Sequence, residues 1–441
     1  MTNLQSSSSR MRGFLQWWAA CLLFAMAPLA FAETKPPALI DERCAPFYPS
    51  GWQAVSGQHL PTGAPSRRPA KGEPFQDADY RTCVVRVTAH DTEPPKGLAR
   101  NDYSRRQAFN ADSSRLVVSA LDGYWHLYDA RTLAYITRLR GLAGDAEPQW
   151  HPTDPNLLYY LPTSGVGMKL FVLDVRTGES REAADFASRV KAHWPSANAV
   201  STRSEGAPSR DGRYWAFQVD SGDWQGLGLF TFDLQENHII AAYDLASHGK
   251  ARPDHISMSL SGNYVVVSWN DGPVAFTRDF KNPIKLQKQG NHSDLALTAE
   301  GDDAYVAIDY DVSGGPLFMV NLRTGERTVL FDTYVRKTTT GLHVSGRAYK
   351  RPGWVVVSTY AEAGAAAPQW LHGKVMAVEL KARPRVINLA RHQVTYNKYF
   401  TAPLATVNAD FTRVLFNSNW GTRSETDVDT YMILLPPNLL R

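Results

Sequence analysis

Asn110-Ala-Asp-Ser-Ser-Arg-Leu-Val-Val-Ser119 is a polar, turn-forming cluster that runs directly into a β-branched strand. The same grammar returns six times. It reads Pro152-Thr-Asp-Pro-Asn-Leu-Leu-Tyr-Tyr160, Ser209-Arg-Asp-Gly-Arg-Tyr-Trp-Ala-Phe217 and Ser259-Leu-Ser-Gly-Asn-Tyr-Val-Val-Val-Ser268. It then reads Thr298-Ala-Glu-Gly-Asp-Asp-Ala-Tyr-Val-Ala307, Lys350-Arg-Pro-Gly-Trp-Val-Val-Val-Ser358 and Asn408-Ala-Asp-Phe-Thr-Arg-Val-Leu-Phe416. Each copy predicts a hairpin between two buried strands. Most copies are followed by a second signature, a strand that ends in a tight turn. Leu127-Tyr-Asp-Ala-Arg-Thr132, Phe171-Val-Leu-Asp-Val-Arg-Thr-Gly178 and Phe318-Met-Val-Asn-Leu-Arg-Thr-Gly325 are the clearest cases. Two hairpins per repeat make a four-stranded sheet, and repeats of roughly 40–60 residues built this way describe a β-propeller. No long amphipathic helical pattern competes.

Seven copies predict an all-β, seven-bladed propeller over residues 81–441. After the seventh copy only Thr430-Tyr-Met-Ile-Leu-Leu435 reads as a good strand. The missing fourth strand is expected from Cys83-Val-Val-Arg-Val-Thr88, which would join the chain ends and leave no free sheet edge. Residues 33–80, rich in Pro and Gly, are expected to form an irregular extension. Arg10 and Arg12, an apolar run from Phe14 and the ending Ala30-Phe31-Ala32 describe a cleavable signal peptide over residues 1–32. The expected location is therefore periplasmic or secreted. There an oxidising environment favours a Cys44–Cys83 disulfide, and no membrane span remains after cleavage. Two of the 47 Lys and Arg residues fall in the leader, leaving 45 against 43 Asp and Glu. So balanced a chain has no general attraction for nucleic acid. A monomer is expected.

In a propeller the residues before each blade's first strand converge in a ring at one end of the channel. Counting back from each turn gives Ser104, Arg105 and Arg106, then Glu147, Arg203, Asp254 with His255, His292 with Asp294, and His343. His255, His292 and His343 recur at nearly one level on consecutive blades. Imidazole is the commonest transition-metal ligand, and three with an open position suit a divalent ion such as Mn, Ca or Zn. Strand-end hydrogen bonding is the structural alternative. Arg105 and Arg203 are the candidate catalytic residues, as base or carboxylate clamp, because guanidinium grips carboxylates bidentately. Arg347, Trp125 and Glu147 are the candidate substrate contacts. The chain has no G-x-S-x-G elbow, no C-x-x-C-H and no Walker or Rossmann glycine pattern. Those absences argue against a serine-hydrolase domain, haem attachment and nucleotide binding.

Val85-Arg-Val-Thr88, Arg100-Asn101, Tyr103, Phe109-Asn-Ala-Asp112 and Asp122-Gly-Tyr-Trp125 with Tyr128 together resemble the opening of oligogalacturonate lyases. His292 and His343 resemble that family's metal-binding histidines in their placement. The resemblance implies a seven-bladed propeller in which a divalent metal neutralises a uronate carboxylate and an Arg removes a proton in β-elimination. Two functions are thus expected in parallel. One is a metal-dependent lyase acting on acidic (uronate) oligosaccharides. The other is a non-catalytic propeller that binds a glycan or an envelope protein.

Overall fold

The computed structural model describes residues 39–62, 65–361 and 368–440. The expected leader lies outside them. No helix among the described residues is long and apolar enough to cross a membrane.

The repeated polar cluster works as a side-chain cap on the hairpin. Asn110 accepts from the Arg115 amide at 2.9 Å, Ser209 from Tyr214 at 2.9 Å, Ser259 from Tyr264 at 3.1 Å and Asn408 from Arg413 at 2.9 Å. Each bond spans five residues and closes the turn just before the β-branched run. Gly178 and Gly325 take φ of 77° and 75° in the second turn, the left-handed region where a side chain is strained.

The capped hairpins assemble into five four-stranded antiparallel sheets, each a meander in chain order. Their first strands are Gln149–Trp150, Ala197–Ser201, His255–Met258, Ser293–Leu297 and Thr340–Ser345. A sixth, nine-stranded sheet holds both chain ends. One part is the meander Ala99–Arg100, Arg115–Ala120, Tyr124–Asp129 and Tyr135–Ala143. The other begins with Thr406–Val407, Arg413–Ser418 and Asp429–Leu434, and is completed by Cys83–Arg86, which pairs antiparallel with Asp429–Leu434. The two parts join through a single parallel bridge between Asp429 and Ala99.

Apolar clusters lie between neighbouring sheets, face to face. Val266 and Ala275 meet Leu295, Tyr305 and Phe318. Val356 and Ala377 meet Val414 and Ile433. Met432 and Val85 meet Leu116 and Tyr128, so the last packing interface returns to the first sheet.

The extension is more ordered than its composition implies. It holds a short helix, Ile40–Cys44, and a strand, Pro74–Gln76, that covers the outer edge of Cys83–Arg86. Pairing with that strand supplies the hydrogen bonds that Pro-rich local sequence does not encode. Cys44 and Cys83 form a disulfide across a sequence separation of 39 residues, and Tyr48 accepts from the Cys83 amide at 2.9 Å. Replacing both cysteines by Ser is expected to lower unfolding stability by about 2–4 kcal/mol, the usual worth of such a crosslink. Denaturant unfolding under oxidising conditions measures it, with the reduced native protein as a matched control.

Candidate functional site

Strand starts and loops from several sheets meet around a cavity of about 280 Å³. Its walls include Tyr103, Arg105, Glu205, His255, His292 and Tyr399. Arg105 is the centre. Its Nε donates to the Ser293 carbonyl at 2.9 Å and its Nη1 to Glu205 at 2.7 Å. The same Nη1 lies 2.7 and 2.9 Å from the two ring nitrogens of His255. The guanidinium also sits 4.8 Å from the centre of the Tyr103 ring. Burial works against its charge, but Glu205 and its other acidic neighbours outweigh burial and hold Arg105 cationic. Burial pushes Glu205 up, with Arg105 opposing that shift.

The imidazoles are kept neutral. Burial, reinforced by Arg105, pushes His255 down to about 4. Burial does the same to His292, to about 4, against the hydrogen bond with the Leu342 carbonyl. His343 is also driven well below its ordinary value by burial and by neighbouring His292. His292 Nδ1 lies 2.8 Å from the Leu342 carbonyl, so that nitrogen carries the proton and Nε2 is the bare acceptor. His292 and His343 stack at 4.2 Å, and His343 Nδ1 is buried without a hydrogen-bond partner.

The expected triple-histidine metal site takes a different form. Among the described residues, the group whose ligand atoms all lie within 4.8 Å of one another is Glu205, Asp254 and His255. His292 and His343 pair with each other instead, and His255 turns to the two carboxylates. Arg105 decides whether a resident divalent ion fits. One guanidinium nitrogen already stands within hydrogen-bond distance of two of the three ligands. A second cation there would meet like charge with its donors already engaged. The arrangement does not fit a metal while Arg105 holds that place.

The three expected substrate contacts do not line this cavity. Trp125 is 1% exposed, donates to the Gly144 carbonyl and lies under Arg106, so no sugar face can reach its ring. Arg347 is buried and binds both carboxylate oxygens of Asp294, which also accepts from the Gly346 amide at 2.7 Å. It staples two neighbouring sheets, and its Nε–Nη2 fork is taken by Asp294. Glu147 accepts from the Thr202 amide at 2.7 Å and from that of Ser204, so its carboxylate shapes the loop that carries Arg203. Arg203 lines a separate, adjoining cavity.

The ring argument does not reach several wall residues. Tyr310 follows the second strand of its sheet, Asp303–Ile308, where counting back from the turns does not look. Tyr399 sits in the loop before the last sheet's strands. Arg100 does not line the cavity but lies against the Tyr399 side of its wall. It is 5% exposed, and its Nε and Nη1 are buried with no hydrogen-bond partner. Its guanidinium lies 5.1 Å from the ring centres of both Tyr399 and Phe400.

Neither a protein-family profile nor a curated protein sequence matches the chain. Solved structures do. Oligogalacturonate lyase from Vibrio parahaemolyticus superposes with a TM-score of 0.57 at 15% identity, covering 83% of this chain and 99% of that one. The Swd1 β-propeller domain of Myceliophteria thermophila gives 0.46 at 13% identity, covering 76% and 98%. The Neurospora crassa Pan2 WD40 domain gives 0.47 at 12% identity, covering 80% and 95%. At these identities the likeness carries the fold and no activity. The chain has the fold of the β-propellers, as the repeat of polar turn and β-branched strand requires.

Proposed function

We propose that this chain is an exported, seven-bladed propeller that binds an acidic oligosaccharide at the channel mouth around Tyr103, Arg105 and His292. The blade count takes the nine-stranded sheet as two blades divided at its one parallel bridge. The observation that carries the ligand class is Arg105, a guanidinium held cationic at the wall of this cavity. A guanidinium kept charged at a cavity wall favours an anionic ligand, and a carboxylate is the group that meets it through charge-assisted hydrogen bonds. The ring of Tyr399, 47% exposed and lining the same cavity, offers an apolar face to a sugar. Calorimetric titration with uronate oligosaccharides and their neutral counterparts tests this. Wild type is expected to bind the uronates and not the neutral sugars, and Arg105→Ala to weaken binding by about 100-fold or more, the worth of charged hydrogen-bonded contacts. No affinity for any uronate overturns the reading.

A second reading, β-elimination, is favoured by one observation: the neutral imidazole of His292 presents its unprotonated Nε2. Removing a proton next to a carboxylate needs a base and a nearby cation for the developing charge. His292 is the candidate base and Arg105, on the same cavity wall, the cation: the proton passes to His292 Nε2 as the C–O bond to the departing sugar breaks, and solvent protonates the leaving oxygen. No metal enters this scheme. Ultraviolet absorbance of the unsaturated uronate product tests it, and a bound but uncleaved ligand eliminates catalysis while leaving binding intact.

A further inference from the structure

A second cavity of about 280 Å³ adjoins the first, and the activity readings above leave it unused. The two share walls. Arg203 and Ser204 line the second and Glu205 the first, while Arg252 lines the second and Asp254 the first. Arg203 donates from Nε to the carbonyl of Pro253, between them, at 3.3 Å. Residues 203–205 and 252–254 are thus a thin partition between neighbouring depressions.

The second cavity has the parts of a sugar subsite. Trp224, at the tip of the hairpin between Tyr214–Ser221 and Gly226–Asp233, is 44% exposed and offers a free aromatic face. Arg252 binds the buried carboxylate of Asp220 at 2.9 Å through Nη2, and its Nε is buried without a hydrogen-bond partner. Gln218 holds the other Asp220 oxygen at 2.7 Å. Asp220 is therefore fixed, and Arg203 and Arg252 place their guanidinium groups on the cavity wall.

The backbone is held in shape for this cavity. Five of its nine lining residues, Glu147, Ser164, Arg203, Ser204 and Trp224, adopt φ between 49° and 70° although none is glycine. Such conformations cost energy at each position and concentrate where a site must be pre-shaped. Glu147 accepts two amides of the 202–204 loop, so a buried carboxylate holds part of this strained wall.

We infer that the Trp224–Arg203–Arg252 cavity is a second subsite that takes the next residue of an acidic oligosaccharide whose first residue lies at Arg105 and Tyr399. The inference rests on the binding reading above and extends it to a ligand of at least two sugar residues that runs along the partition. Trp224 stacks on the ring, and Arg203 and Arg252 meet its carboxylate or hydroxyls.

The test is chain-length dependence. Affinities of a uronate monosaccharide, disaccharide and tetrasaccharide are measured by calorimetry for wild type, Trp224→Ala and Arg203→Ala. Wild-type affinity is expected to rise from monosaccharide to the longer ligands. Both variants are expected to lose about tenfold or more on the longer ligands, as truncation of an aromatic or Arg anchor does, and to keep wild-type affinity for the monosaccharide. Affinity that does not rise with length, or equal losses on all three ligands, overturns the second subsite alone. No binding of any uronate by wild type overturns the subsite together with the reading beneath it. Circular dichroism and thermal unfolding exclude misfolding, and Trp224→Phe, which keeps an aromatic face, is expected to restore most of the affinity.

Discussion

Asp429→Ala is expected to destabilise the fold by about 3–5 kcal/mol, the cost of leaving buried cations unpaired. Asp429 is fully buried and collects an unusual number of donors. Arg86 reaches it through Nε at 3.0 Å and Nη2 at 2.6 Å. Thr88 donates at 2.8 Å, and the His90 amide and Nδ1 each lie at 3.0 Å. Arg68, in the extension, binds the same carboxylate. One side chain thus ties the last strand to the closing strand and to the extension, and its own backbone pairs with Ala99 at the start of the next meander. The Asp429 network fixes the register at which the chain ends meet. Asn at this position keeps a carbonyl acceptor and loses the charge, so Asp429→Asn is expected to fall between wild type and Ala. Burial works to raise the Asp429 pKa, but His90 and Arg86 outweigh it and hold the group below the usual carboxylate range. A depressed folded-state pKa contributes stability above the unfolded value of about 3.9, and that contribution fades as pH falls through the folded value. Denaturant midpoints should therefore show the wild-type advantage over Asp429→Ala at neutral pH and its loss in strong acid. A difference under about 1 kcal/mol at pH 7 would show that the closure is held elsewhere.

The fold was legible because its signal is local and repeated. A capping Asn or Ser five residues before a β-branched strand is chemistry that each hairpin carries for itself, and the pairing of Cys83–Arg86 with the last strand follows from counting strands. The site was legible only in part. Arg105, His255 and His292 stand where the ring argument puts them, at or before first strands, and share one cavity. What each side chain does there depends on partners far away in sequence. Arg347 is consumed by Asp294, Trp125 by the core and Glu147 by loop amides, and nothing in the local sequence announces those pairings. Tyr399 was missed because it comes from a segment before the last sheet's strands that no repeat marks. Glu205 is visible as a residue two positions after Arg203, but no periodicity says that it meets Arg105 from a different sheet.

Arg105→Ala is expected to abolish measurable uronate binding, a loss of about 100-fold or more, and to turn the cluster into a divalent-metal site. Both effects follow from the same bonds. The guanidinium holds Glu205, His255 and the Ser293 carbonyl around itself and lies over Tyr103. Without it the mouth loses a fixed cation, and a buried carboxylate loses its partner; charged contacts of this kind are worth about 1.5–3 kcal/mol each. Glu205, already pushed up by burial, rises further because Arg105 was its main counterweight. His255 rises as well. Burial still holds it down, but the second depressing influence, the Arg105 charge, is gone. A histidine titration followed by NMR should therefore show the His255 midpoint above its native value of about 4, a change that simple loss of packing would not direct upward. The space left by the guanidinium is bounded by two carboxylates and one neutral imidazole whose ligand atoms lie within 4.8 Å of one another. That donor set suits zinc or manganese. Calorimetry with each ion is expected to find stoichiometric binding to Arg105→Ala that native protein lacks, and Asp254→Ala added to that variant should remove it. Metal bound by native protein through Glu205, Asp254 and His255 would overturn the assignment, because it would mean that Arg105 yields its place. The native preference for a guanidinium there is the physical reason to treat this mouth as a site for an anionic ligand rather than as a metal centre.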